Sequence, residues 1–324
     1  MFIQKNFLLI VLALAVVFAF AMRATIFQQQ TTSTPPPTNG IATNFADYWF
    51  ANKAEVNTYR LEQADYGVLN PGDVVMVFAT VNFRTDKQVE LDTALSVTDK
   101  DKAIPVLKTN IIKKFTTGLH DHSLLTSVFT PINTGDSRSG PFANTLKVST
   151  TSQDWLGHTY LQLNYRNSSY RVQGNSYFEH EVDEDYTVSK ATLEDELWNR
   201  IRLNPEALPR GETQLIPGTM TARLRHARLD PLPAKLKIDN YEGVLYPGKF
   251  LKSYTIEYPT DDRTLIIIFE GQFPHKIVGW EETYKTRDNL LTTRAVLQKS
   301  ITTDYWNHNA PADSTLRKTL LLNQ

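Results

Sequence analysis

Several stretches of this chain carry side chains whose types and spacing could do chemistry. His120-Asp121-His122 places two imidazoles at i and i+2. On a strand they would share a face and reach one metal ion, but a site needs further ligands that the sequence does not supply. Arg223, Arg225, His226 and Arg228 form a basic knot. On a strand Arg223 and Arg225 would face one way and could meet a phosphate or an anionic lipid head, although a short charge run also reads as a solvated surface. Carboxylates crowd at Glu179, Glu181, Asp183-Glu184-Asp185 and Glu194-Asp195-Glu196. They suit acid–base work or Ca²⁺, yet their spacing fits no EF-hand. The fourth stretch follows Trp155. His158, Tyr160, Gln162 and Asn164 alternate with Thr159, Leu161, Leu163 and Tyr165. A polar file on one side of a strand, close to a Trp, is the kind of surface that lines ligand pockets; it is also what a half-exposed sheet shows to water.

Thr134 to Pro141 (TGDSRSGP) resembles two serine-hydrolase signatures. Its Gly-Asp-Ser piece resembles the first block of the SGNH hydrolases. Those also carry a late Asp-x-x-His, whereas Asp304 and His308 stand one residue too far apart. The same stretch resembles the nucleophile loop of trypsin-like proteases, but too little chain precedes Ser137 to hold the His and Asp that family needs. A loop rich in Gly, Ser, Asp and Pro accounts for these residues without chemistry.

The elements that must position these groups are mostly strands. Val74–Val81 is an unbroken β-favouring run, as expected of a strand covered on both faces. His158–Tyr165 should pair with Tyr170–Phe178 through a three-residue loop at Asn167-Ser168-Ser169, and Thr264–Phe269 with Ile277–Tyr284 across Gly271–His275. Further strands are expected at 58–66, 104–115, 145–152, 234–238, 249–258 and 294–303. The one convincing helix runs from Thr192 to Asn204. Leu193, Leu197 and Ile201 recur every four residues with Trp198 beside them, Glu196 and Arg200 are spaced to pair, and Pro205 ends it. Thr192 is the expected cap, and the acidic trio complements the helix dipole. Asn44 is expected to cap a short helix carrying Phe45, Tyr48 and Trp49, and the tail after Pro311 to dock as another. The expected fold is therefore mainly β: an antiparallel curved sheet or half-barrel with one central amphipathic helix, built as one sheet or as two β-rich lobes.

Of the 324 residues, 41% are hydrophobic, enough for a large core. A net charge of −1 and the lack of a basic stripe argue against nucleic acid as a partner. With no cysteine, disulfides, thiolate metal sites and an N-terminal lipidated Cys are excluded. Phe7–Met22 is an uncharged apolar run flanked by Lys5 and Arg23, which reads as a secretory signal or an uncleaved anchor in residues 1–27. A Pro-rich linker follows at 28–40. The body then divides into a β-rich lobe over 41–204, a Pro-rich connection at 205–233, a second lobe or continuation at 234–310, and a tail at 311–324.

Tyr48-Trp49, Lys53-Ala54-Glu55, Tyr66-Gly67, Lys87-Gln88-Val89, Trp155, Gly157-His158, the Leu193–Trp198 helix with Arg202, and Leu208-Pro209 together resemble a family of uncharacterised exported bacterial cell-envelope proteins. Many members are lipid-anchored, and some carry a septum-formation-inhibitor label. The resemblance spans most of residues 45–285, implies export, and brings no catalytic residues and no cofactor. The expected function is a non-catalytic envelope binding protein for a lipidic or glycan ligand, tied to the membrane through its N-terminus if that segment is uncleaved. Trp155, His158, Tyr160, Gln162 and Arg202 are the expected pocket residues. The alternatives are an envelope hydrolase using His158 or the His120/His122 pair, with or without a metal ion, and a structural protein that meets a partner through an edge strand or the 205–233 connection.

Overall fold

The computed structural model describes residues 43–92, 102–132 and 144–322. The apolar run at 7–22, the linker, and Ser137 with its loop lie outside them. Among the described residues no helix is long and apolar enough to cross a membrane.

The chain is mainly β, and the expected elements are joined into one open 16-stranded sheet. Strands β1 (Ala54–Asp65), β2 (Val68–Arg84), β4 (Ala103–Thr117), β5 (His120–Pro131), β6 (Lys147–Gln153), β7 (His158–Arg166), β8 (Ser169–Asn175) and β9 (Glu184–Ser189) follow one another as antiparallel neighbours, with β3 (Val89–Glu90) pairing off β2. From the other side of β1 the order continues through β16 (Asn289–Thr303), β15 (Ile277–Thr286), β14 (Arg263–Glu270), β13 (Leu251–Tyr258), β12 (Leu232–Asn240), β11 (Gly211–Ile216) and β10 (Thr192–Leu193). Strands before and after the 205–233 stretch thus belong to one sheet through the β1–β16 pairing, rather than to separate sheets. That stretch is not a bare connection: it contains β11 and a short helix.

Helix α1 (Thr43–Trp49) opens the described chain, with Trp49 in the core; Asn44 lies inside it and does not cap it. The central helix α2 runs Glu194–Leu203. Thr192 is not its cap. It is bridged to Leu215, and the chain enters α2 through Leu193, whose N–H donates to Glu196 Oε1 at 3.2 Å. The expected Glu196–Arg200 pair forms at 2.8 Å. Every residue from Glu194 to Arg202 is buried. A helix lying on a flat sheet keeps one face in water. Here its side chains reach β1 (Glu55), β4 and β5 (Leu107, Thr130), β14 (Arg263) and β15 (Trp280), on both sides of β1 in the sheet. The sheet stays open and does not become a barrel, because β9 and β10 at the two ends of the strand order share no ladder.

Alternation decides which side chains meet the helix. Tyr59 and Leu61 of β1, Val74, Met76 and Phe78 of β2, and Leu265 and Ile267 of β14 join Leu197, Trp198 and Ile201 in the main core. β2 is covered on its other face too, where Val77 and Ala79 pack with Ala54, Val56 and Leu320, the residue that follows the tail helix α4 (Thr315–Thr319). At ~25 cal/mol per Å² of apolar surface, a strand covered on both faces gains far more than an edge strand. The loop joining β7 and β8 has two residues, not three: Asn167 and Ser168 both take positive φ (51° and 60°) between the paired Arg166 and Ser169, as a type I′ turn requires.

Candidate functional site

The side chains expected to do chemistry are distributed over both faces of the sheet. Leu161 and Leu163 of β7 pack with Leu193 and Ile216 on the helix side. His158, Tyr160 and Gln162 therefore point to the opposite, outer face. There the Tyr160 hydroxyl donates to Gln162 Oε1 at 2.6 Å, Gln162 Nε2 to Asn164 Oδ1 at 2.6 Å, and Asn164 Nδ2 to Gln88 Oε1 at 3.1 Å. Trp155 is 60% exposed and its ring lies 5.7 Å from that of His120. Arg202 is on α2, on the other side of the sheet from the β7 file, fully buried and paired bidentately with Glu55 at 2.6 and 2.7 Å. The five expected pocket residues are not gathered into one pocket.

The other sets disperse in the same way. His122 stacks on Phe115 at 4.7 Å and its Nε2 bonds Thr117 Oγ1 at 2.7 Å, while His120 turns toward Trp155. Among the described residues no three His, Cys, Asp or Glu side chains converge as a metal site would require. The Arg223 segment is helix α3 (Thr219–Leu224) rather than strand, so its basic residues do not share a face as expected. Arg223 and His226 both engage Glu181 at 3.2 and 2.6 Å, and Arg225 engages Asp261 at 2.5 Å. Arg228 lies 3.7 Å over the Tyr186 ring. His308 bonds Asp304 at 3.1 Å and Asp313 at 3.2 Å in the exposed C-terminal segment.

The acidic trio does more than complement the helix dipole. Glu194 holds Arg263 by two bonds of 2.6 Å, and Arg263 Nε donates to Glu282 at 2.7 Å. Tyr258 donates to Glu194 at 2.6 Å, and the Thr219 N–H to Asp195 Oδ2 at 3.0 Å. A Cβ at Gly218 would stand 2.6 Å from Glu194 Oε1 and would push on the oxygen that accepts from Arg263. Burial, reinforced by the negative charge of Glu194, pushes Asp195 up to about 7. Burial also lowers Lys113, which donates to Gln63 Oε1 at 2.9 Å. The enclosed space between these groups is only about 40 Å³.

A roomy concavity lies where the sheet stops short of closing. β9 and β10 are separated by two residues, Lys190 and Ala191. Side chains rather than a ladder close the gap beside them: Val188 packs with Leu193 and Ile216, and the Tyr186 hydroxyl bonds the Leu229 backbone at 3.2 and 3.3 Å. Next to this seam is a cleft of about 740 Å³, within the range of small-ligand sites. It is lined by Asn144, Lys190, Thr192, Glu196, Arg200, Glu212, Thr213, Gln214 and Lys235, with Pro233, Ala234 and Pro259 supplying its apolar parts. Arg200 pairs with Glu196 at 2.8 Å and Lys235 with Glu212 at 3.1 Å. Lys190 is exposed and has no ion pair among the described residues. None of these was an expected pocket residue. Glu212–Ile216 has the composition of a strand, but Pro209 and Pro217 on either side make it read as a connection.

No protein-family model, curated protein or solved structure matches the chain.

Proposed function

We propose that the chain is a non-catalytic binding protein and that its site is the seam cleft, taking a polar, hydrogen-bonding ligand. The observation that carries this reading is the contrast between the cleft and the helix side of the sheet. A lipid carrier of the half-barrel kind needs a hollow, yet the helix side is filled by α2, and the enclosed space there is about 40 Å³. The cleft is open, of ligand size, and walled by amide, hydroxyl and charged side chains. Of the two ligand classes expected from the sequence, this cleft favours the polar one; the apolar concavity lined by Val56, Val75, Val77, Ile301 and Leu316, about 300 Å³, is less than half its size. Location in the cell envelope, through the 1–27 segment, remains part of the same proposal. A hydrolase would need a nucleophile or metal set brought together with a base, and the dispersal of His120, His122 and His158 favours no such set.

Native mass spectrometry of the chain purified without detergent from an exporting host tests this. The expected result is a polar adduct that is released on denaturation and missing from a Gln214→Trp variant, whose indole would intrude among the polar groups of the cleft wall. An acyl lipid as the bound species, or an adduct that Gln214→Trp leaves in place, would sink the proposal.

A further inference from the structure

Part of the cleft wall is the open edge of a strand. β11 pairs with β12 from Gly211↔Leu236 to Leu215↔Leu232, but on its other side it meets β10 only at Leu215 and Ile216. Among the described residues the outward edge of Gly211–Gln214 therefore has no ladder partner. The cleft is lined by Glu212, Thr213 and Gln214 of this edge strand and by their partners Lys235, Ala234 and Pro233 on β12. The cause is local: β10 runs parallel to β11, so the residues that would face Gly211–Gln214 are 188–191, and Val188 and Ser189 of these are already paired to β8. An edge of four residues offers ~13 Å of unpaired N–H and C=O groups, the template to which extended chains add.

We propose that this edge binds an extended acidic peptide segment by strand addition, with Gly211–Gln214 supplying the backbone hydrogen bonds and Lys190 the charge. The inference rests on the reading of the cleft as the binding site and names its ligand class. Three cations and two carboxylates line the cleft, and two pairs, Arg200–Glu196 and Lys235–Glu212, are matched inside it, which leaves the surplus positive charge on Lys190. A second copy joining edge to edge would bring two such surpluses into one seam, so an acidic segment of another chain is the complementary occupant.

The test is selection of a displayed random decapeptide library on the full chain, with Lys190→Glu as the counter-selected variant. Lys190 is exposed and outside every cluster of the core, so the variant folds as the parent does. The expected winners carry Asp or Glu at alternate positions, slow hydrogen exchange within Gly211–Gln214, and bind Lys190→Glu at least ~10-fold more weakly. N-methylation of alternate peptide residues should abolish binding in one phase and spare it in the other, because only one set of amides faces β11. Winners that protect another surface, or that bind Lys190→Glu equally well, overturn the proposal. A mixture of acidic oligosaccharides serves as the second probe. If it shields Lys190 and Lys235 from amine labelling while no peptide is enriched, strand addition fails and the cleft stands as a binding site. If neither probe protects the cleft, both readings fail.

Discussion

The two ends of α2 each bury an arginine against a carboxylate, yet they are built on opposite principles. At the C-terminal end the account is one to one. Arg202 meets Glu55 through both terminal nitrogens, and its Nε donates to the Pro274 carbonyl at 3.0 Å. Asn57 and Tyr48 donate to the same carboxylate, and the guanidinium lies over the Phe78 and Trp49 rings at 4.5 and 5.1 Å. Burial alone would raise Glu55, but the Arg202 charge and these donors hold it down at about 2. At the N-terminal end Glu194, Asp195 and Glu282 share a small cavity with Arg263 and Lys113. Three carboxylates face two cations, so the cluster balances only when one carboxyl keeps its proton. Asp195, raised to about 7, is that group. One end is a closed pair whose charge is fixed across the physiological range; the other responds to pH within it.

Removing one arginine at either end should produce the largest loss. Arg202→Met strands Glu55, and Arg263→Met strands Glu194 and Glu282; each should cost about 3–5 kcal/mol by urea denaturation, because a buried carboxylate loses its counter-charge. The double variants separate the two designs. Glu55→Leu with Arg202→Met removes the whole pair and should recover most of the loss. Glu194→Leu with Arg263→Met leaves Glu282 stranded and should recover much less. Equal recovery at the two ends would break the comparison.

The pH response has opposite signs at the two ends. Asp195 takes up its proton more tightly when folded than its ordinary value of 3.8, so its contribution is complete below pH 3.8 and is lost as pH rises to about 7. Glu55 is depressed from 4.5 to about 2, so its contribution is complete above pH 4.5 and is lost as pH falls toward 2. At 1.36 kcal/mol per unit these amount to roughly 4 and 3 kcal/mol. Asp195→Asn should flatten the decline between pH 4 and 7 and raise stability at pH 8, measured as the urea midpoint at both pH values. An unchanged slope in Asp195→Asn would show that this end is as insensitive to pH as the other.

How much of this was legible in the sequence follows from range. The period-two alternation of His158–Tyr165 and the fourfold spacing of Leu193, Leu197 and Ile201 are local, and both elements stand where those patterns place them. The destination of the charges on α2 is not local. An amphipathic pattern assigns Glu194 and Arg202 to water, but their partners Arg263 and Glu55 lie 69 and 147 residues away. No spacing rule within the helix announces them. β9 was hidden by its acidic start, Glu184-Asp185, and β11 by the prolines around it. Of the seam cleft, the walls from α2 and β12 were legible, but β11 and the Lys190-Ala191 link between β9 and β10 were not, and the expected pocket fell on β7, where the pattern was clearest.

Between the buried pairs and the surface stands Asn199, in the middle of α2. Its Nδ2 donates to the Leu107 carbonyl at 3.0 Å and to Thr130 Oγ1 at 2.8 Å, and its Oδ1 accepts from Thr109. It carries no charge, so Asn199→Ala should cost about 1–3 kcal/mol, below either arginine and with no dependence on pH between 4 and 8. A loss as large as that of Arg202→Met would mean that the helix is held by its neutral hydrogen bonds as firmly as by its ion pairs.

The outer file of β7 should matter least, and this is where the contrast between the two faces of the sheet is sharpest. Tyr160 and Gln162 hydrogen-bond in series as the groups around α2 do, but on the side of the strand away from the helix and only half-buried. Water can replace a bond lost there, which it cannot do at Asn199. Tyr160→Phe and Gln162→Ala should therefore each cost no more than about 0.5–1 kcal/mol. Neither should change binding in the seam cleft, whose lining includes no residue of β7. A binding loss in either variant with stability intact would move the site from the seam to this face and restore the pocket that the sequence suggested.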